Sequence, residues 1–350
     1  MNDAALVNED VLFEIEGRAG IITLNRPKAL NALTHPMCIA IHDQMKAWED
    51  NPAVQIVLIR GAGDRAFCAG GDVVSMHRAG RAGGEGYERF FFDEYRADYL
   101  TSTFPKPYVA LIDGIVMGGG VGLSVHGPYR VATEKTLFAM PETGIGLIPD
   151  VGGTHLLGHM PGQLGVYLGL LGERLKAADC LYAGIATHYV PSERIEALAQ
   201  ALIHEDASVE EILSRFHADP GESALAGMQA KIDRYFAGET VEEIVAALSG
   251  GDDWAVALRD RLLALSPTSL KLTLRAVRAG RGLDLAGCLR QEYRMVCRIK
   301  HGQDFYEGVR AQLIDKDRNP RWSPASLADV TPEMVEAHFQ EPAGGDVRLD

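Results

Sequence analysis

With 350 residues, 47% of them hydrophobic and 23% charged, the chain is globular and long enough for one large domain or a core domain with an appendage. A formal net charge of −14 removes the broad positive field that general nucleic-acid binding needs, while leaving room for a local basic patch on a small polyanionic ligand. Five cysteines, Cys38, Cys68, Cys180, Cys288 and Cys297, lie far apart without CxxC spacing, which argues against a disulfide framework or a zinc site and predicts a reducing compartment.

The opening stretch MNDAALVNEDVLFEIEG has no basic segment followed by an apolar run, and no span approaches the ~18 apolar residues of a membrane helix, so a cytosolic protein without membrane contact is expected. Two short β-rich runs, Val11 to Glu16 and Ile21 to Leu24, flank Gly17-Arg-Ala-Gly20 and predict a hairpin. Thr34 is placed to cap a helix whose stripe is Met37, Ile39, Ile41, Met45 and Trp48. A buried strand over Val54 to Ile59 leads into a glycine-rich loop from Gly61 to Asp72, and Asp72 suits an N-cap. Helix is expected from Tyr87 to Leu100, with Glu94 set among Phe90, Phe91 and Tyr95.

Farther on, Tyr108 to Ile112, Tyr129 to Thr133, Thr136 to Met140 and Thr187 to Val190 read as strands, and helix is expected from Lys176 to Tyr182 and from Ser192 to Ile203. His204-Glu-Asp and Asp219-Pro-Gly interrupt the pattern, giving a soft boundary near residues 205–222. This divides the chain into a core over residues 1–205 and a mainly helical region over residues 206–350. The latter carries helices starting at Ser266-Pro267 and stripes at Leu285 to Ile299 and Phe305 to Leu313.

The chemistry concentrates between Lys106 and Gly153. Gly118, Gly119 and Gly120 place bare backbone at the start of a helix through Leu123 and Val125, and Gly70 with Gly71 does the same before Asp72. Two such places can each aim an N–H at a carbonyl oxygen that gains charge during a reaction. Glu142 and Asp150 follow in apolar, glycine-rich settings where a carboxylate is costly without a partner or a task. Each feature also has a plainer reading: tight turns for the glycines, a turn carboxylate and a helix N-cap for the two acids, a satisfied helix carboxylate for Glu94, and a solvated face for Lys271, Arg275 and Arg278.

Other fingerprints fail on context. Gly61-x-Gly63-x-x-Ala66 follows a strand, but Phe67-Cys-Ala-Gly-Gly breaks the helix a dinucleotide site would open. GGGVG at Gly118 to Gly122 lacks the Lys-Ser or Lys-Thr of a P-loop, and Gly122-Leu-Ser124-Val-His126 lacks the last glycine of a nucleophile elbow. The residues alone describe an enzyme with two backbone loops and paired acids, its substrate unnamed.

Taken together, NRPKALNAL at Asn25 to Leu33, CAGGDV at Cys68 to Val73, KPYVALIDGIVMGGGVGLSVHG at Lys106 to Gly127 and ATEKTLFAMPETGIGLIPDVGG at Ala132 to Gly153 resemble the crotonase (enoyl-CoA hydratase/isomerase) superfamily, and within it the 3-hydroxyisobutyryl-CoA hydrolases. The resemblance implies an α/β fold, a crotonase-like spiral of ββα units with a C-terminal helical region that covers the site or forms subunit contacts in a homo-oligomer. It implies an acyl-CoA thioester whose carbonyl oxygen lies between the N–H groups of Gly71 and Gly119. Ala69, Gly70, Gly118, Lys28 and Leu30 would contact the substrate, with Lys28 toward the coenzyme A phosphates and Glu94 shaping the acyl pocket or positioning water. Coenzyme A enters only as part of the substrate, with no metal and no further cofactor.

Hydratases resemble one another in carrying two glutamates. Here the first position is Gly122 and only Glu142 remains, while Asp150 stands where the hydrolases place an aspartate. The expected reaction is therefore hydrolysis of a short β-hydroxyacyl-CoA, with Glu142 as base or nucleophile and Asp150 on the substrate hydroxyl. An enoyl-CoA hydratase or isomerase, and a non-catalytic CoA-binding scaffold, are the alternatives.

Overall fold

The computed structural model describes residues 9–349. The expected hairpin is present: Val11–Glu16 (β1) and Ala19–Leu24 (β2) pair antiparallel with Glu16 opposite Ala19, so Gly17 and Arg18 make the turn. Gly17 has φ +54°, and a Cβ there would stand 2.4 Å from the Ile203 carbonyl oxygen, so the turn demands glycine twice over.

Beyond the hairpin the strands come in pairs. Ile56–Gly61 (β3) is followed by Ala66–Cys68 (β4), Tyr108–Ile112 (β5) by Ile115–Met117 (β6), and Tyr129–Ala132 (β7) by Leu137–Ala139 (β8), with His188–Tyr189 (β9) last. The first member of each pair joins a six-stranded sheet ordered β1-β2-β3-β5-β7-β9, parallel from β2 onward. The second member joins a three-stranded sheet ordered β4-β6-β8. Each strand–strand repeat thus advances both sheets by one strand before a helix intervenes, which is a spiral of ββα units. The central strand β5 is buried at every position, as a parallel strand covered on both faces must be.

Helices follow the strand pairs. His35–Glu49 (α1) buries Met37, Cys38, Ile41, Met45 and Trp48, whereas Ile39, expected in the same stripe, is 39% exposed. Thr34 stands at its N-cap without a side-chain capping bond. Asp72 does cap Val73–Ala82 (α2), its carboxylate accepting from the Ser75 N–H at 3.1 Å. Gly86–Thr103 (α3), Gly119–Val125 (α4), Gly153–Gly158 (α5) and Leu164–Leu171 (α6) follow, and helices at Ala177–Tyr182 and Ile195–His204 complete the first part of the chain. A helix at Val209–Phe216 lies inside the stretch expected to be a boundary, and it opens on a reciprocal Ser208–Glu211 capping box.

The described chain gathers into two compact units, each drawn from three separate stretches. One takes the chain up to Gly71, Arg96–Phe138 and Leu175–Glu222; the other takes Asp72–Tyr95, Ala139–Arg174 and the chain from Ser223 onward. In the first, the inner face of the large sheet (Ile21, Leu58, Val109, Val131) packs on Leu198, Leu202, Ile212 and Leu213. In the second, the helix Pro267–Gly280 packs against α5, α6 and the helix Leu285–Ile299. Among the described residues no helix is long and apolar enough to cross a membrane, and no disulfide forms.

Candidate active site

In the first unit, Asn31 pins the Asn25–Leu33 segment. Its Nδ2 donates to the carbonyls of Ala62 and Ala66, each at 2.9 Å, and its Oδ1 accepts from the Arg26 N–H. The segment then docks on the AGGD loop: the Ala69 N–H donates to the Leu30 carbonyl at 3.0 Å and the Leu33 N–H to that of Gly70 at 2.9 Å. Lys28 is exposed at the tip of the segment and Leu30 is half-buried.

The two glycine loops meet. Gly70 has φ +107°, and a Cβ on it would come within 3.3 Å of the Met117 carbonyl oxygen and 3.7 Å of the Gly119 nitrogen. The triple glycine divides its tasks. Gly118, at φ +47°, turns the chain from β6 into α4; Gly119 is the first helical residue, where an amide has no intrahelical acceptor; Gly120 backs onto β4, where a Cβ would stand 2.3 Å from the Cys68 carbonyl oxygen. Gly122, the position that would hold a hydratase's first glutamate, is closed as well. A Cβ there would lie 2.5 Å from the buried carboxyl group of Asp98.

In the second unit the acids cluster. Glu142, Asp150, Glu94 and Glu292 are 5%, 3%, 2% and 0% exposed, and among the described residues none forms an ion pair with a lysine or arginine. Asp150 is not a helix cap, since α5 begins at Gly153 with Gly152 as its N-cap. Its Oδ2 instead accepts from the Tyr95 hydroxyl at 2.8 Å, and Tyr95 is wedged edge-on between Phe91 and Tyr293. Burial still pushes the Asp150 carboxyl up to about 7, with the Tyr95 bond opposing it.

The charge of Asp150 reaches its neighbours. Glu142 is held well above the ordinary carboxylate value, first by burial and then by Asp150, and Glu94 is raised by the same two causes in the same order. Oε2 of Glu142 and Oε1 of Glu94 are buried without a hydrogen-bond partner. Unpaired buried carboxyl oxygens are rare enough to require an explanation, and the plain readings of these acids as satisfied turn or helix carboxylates do not supply one.

The model for the enoyl-CoA hydratase/isomerase family matches residues 19–339 of this chain. The chain belongs to the enoyl-CoA hydratase/isomerase family. It is 48% identical over 350 residues to the mitochondrial 3-hydroxyisobutyryl-CoA hydrolase of Danio rerio, covering 97% of this chain and 92% of that one. To the corresponding Homo sapiens enzyme it is 46% identical over 351 residues, covering 97% and 91%. A crystal structure described as a carnitinyl-CoA dehydratase from Mycobacterium thermoresistibile superposes with a TM-score of 0.93 at 45% identity, covering 98% of this chain and 99% of that one. The cytosolic expectation is overturned by the first two, which are mitochondrial enzymes. Scattered cysteines indicate a reducing compartment, and that property does not by itself select the cytosol.

Of the residues expected to act in this family member, Ala69, Gly70, Gly71, Gly118 and Gly119 come together in the first unit with the Lys28–Leu30 segment docked beside them. Glu94, Glu142 and Asp150 come together in the second. Sequence reasoning missed the roles of Tyr95 and Glu292. Glu292 did leave a signal: it interrupts the apolar stripe of Leu285–Ile299, where Cys288, Leu289, Met295, Val296 and Ile299 are all buried.

Proposed function

We propose that this enoyl-CoA hydratase/isomerase family member hydrolyses 3-hydroxyisobutyryl-CoA to 3-hydroxyisobutyrate and coenzyme A, a step of valine breakdown. Water adds to the thioester carbonyl carbon, the C–S bond breaks, and the thiol leaves with a proton. Glu142, as its carboxylate, takes the proton from that water or attacks the carbonyl itself to give a transient anhydride; single turnover in ¹⁸O-water, followed by mass analysis of the Glu142 peptide, separates the two. Asp150 holds the substrate hydroxyl, Glu94 shapes the acyl pocket, and the Gly71 and Gly119 amides receive the oxyanion. Lys28, Leu30, Ala69, Gly70 and Gly118 take the coenzyme A side.

One observation carries this reading over hydration: the acid count. Glu142 keeps a buried oxygen without a partner, while at Gly122, the position of a second glutamate, an added Cβ would meet the Asp98 carboxyl at 2.5 Å and force it to move. Adding water across a double bond calls for two opposed proton-transfer groups, whereas hydrolysis needs one base or nucleophile and an oxyanion site. The similarity to a protein described as a carnitinyl-CoA dehydratase favours the second reading, a hydratase or dehydratase working through Glu142 and Asp150.

A thiol-release assay on 3-hydroxyisobutyryl-CoA, 3-hydroxypropionyl-CoA and crotonyl-CoA, with mass spectrometry of the products, tests both readings. Free coenzyme A from the two hydroxyacyl thioesters supports the hydrolase. Hydrated crotonyl-CoA without thiol release supports the second reading and removes the first.

A further inference from the structure

Three hydrogen-bond donors converge on Glu292. Its Oε2 accepts from the Gly152 N–H at 2.7 Å, and its Oε1 accepts from the Thr154 N–H at 2.9 Å and from the Thr154 hydroxyl. Glu292 itself lies fully buried on an apolar helix face, a setting in which a carboxylate is retained only against a definite need. The turn it holds is strained. Val151, a β-branched residue, sits at φ +54°, a left-handed conformation that only glycine adopts readily and that persists where the surroundings over-determine it. Val151 joins Asp150 directly to Gly152. Asp150 is thus fixed from two sides, its carboxylate by Tyr95 and its following backbone by Glu292.

We propose that Glu292 is a positioning residue for the substrate-hydroxyl site, clamping the strained Val151 turn so that the Asp150 carboxylate keeps its working orientation; this rests on the role given to Asp150 above. A glutamine amide cannot fully replace it, because its single oxygen can serve one oxygen position only and its NH2 then faces the Gly152 or the Thr154 N–H, donor against donor. The competing role is simple capping of α5, in which Glu292 satisfies the first helical amides and nothing more.

The variants are Glu292→Gln, Thr154→Val, which removes the hydroxyl's bonds to Glu292 and Cys288 and keeps both amides, and Val151→Gly in each background. Glu292→Gln is expected to lower kcat/KM for 3-hydroxyisobutyryl-CoA by about tenfold more than for isobutyryl-CoA, and Thr154→Val to do the same to a smaller extent. Glycine adopts the left-handed turn without strain, so Val151→Gly should restore about fivefold of the loss in the Glu292→Gln protein. Amide hydrogen exchange over residues 151–156 should rise in Glu292→Gln.

Equal losses on the two substrates with no rescue by Val151→Gly would overturn the proposal in favour of capping, as would unchanged exchange with unchanged kinetics. If Glu292→Gln does not fold, Thr154→Val and its Val151→Gly partner decide by the same criteria. A parent protein that releases no thiol from any hydroxyacyl-CoA would instead remove the hydrolase reading, and exchange over the turn would still show whether Glu292 clamps it.

Discussion

Asp150 is 3% exposed, and its carboxyl titrates at about 7 instead of 3.8, chiefly because burial penalises the charged form. Between those two values the unfolded chain has given up the proton and the folded chain still holds it. Low pH therefore favours the fold, and the benefit is lost as pH rises toward 7. Each pH unit inside that window is worth about 1.4 kcal/mol, so a change from about pH 5.5 to about pH 8.5 crosses roughly one and a half units of it and removes about 2 kcal/mol. Asn at this position has no proton to lose, and its carbonyl oxygen can still accept from the Tyr95 hydroxyl. The gap in unfolding free energy between Asp150→Asn and the parent should therefore widen by about 2 kcal/mol in favour of the variant between the two pH values. Urea unfolding of both proteins, followed by far-ultraviolet circular dichroism, measures it. A gap that stays constant, or that shifts toward the parent at the higher pH, would refute the reasoning that Asp150 is buried against the cost of its own charge.

Glu142→Gln should lower turnover by at least about a hundredfold while leaving the thermal midpoint equal or higher, which steady-state kinetics and calorimetry together check. In the parent, kcat/KM should rise with pH along a limb displaced above the ordinary carboxylate range, because burial and Asp150 both hold the Glu142 proton; a limb near 4.5 would contradict this. Gly120→Ala forces a methyl group to within 2.3 Å of the Cys68 carbonyl oxygen and should cost about 1–3 kcal/mol in urea unfolding. Gly122→Glu should not create a hydratase, since even its Cβ meets Asp98 at 2.5 Å; the expected outcome is a destabilised protein without crotonyl-CoA hydration.

The sequence made legible those elements whose cause is local. The hairpin at Gly17, the Asp72 cap and the helix Leu285–Ile299 each follow from a turn residue, a capping side chain or an apolar stripe within a few positions. The short strands β4 and β6 were not legible, because adjoining glycines make both stretches read as loop and their pairing is set by distant chain. The helix Val209–Phe216 opens on a Ser208-x-x-Glu211 box, but the breakers His204-Glu-Asp and Asp219-Pro-Gly on either side mask it in the sequence. At the site, the glycines and acids stood out by type, but the clamp on Asp150 did not. A glutamate in a helix stripe shows a conflict with its surroundings, and only the fold shows which donors resolve it.

The bond from Gly152 to Glu292 joins residues 140 positions apart, and the surroundings of Asp150 also draw on Tyr95. A growing polypeptide therefore carries every acid named for the chemistry long before it can lock them in register. The turn after Asp150 cannot be tied down until the helix Leu285–Ile299 has been made, and closing so long a loop places the ordering of the acids among the late events of folding.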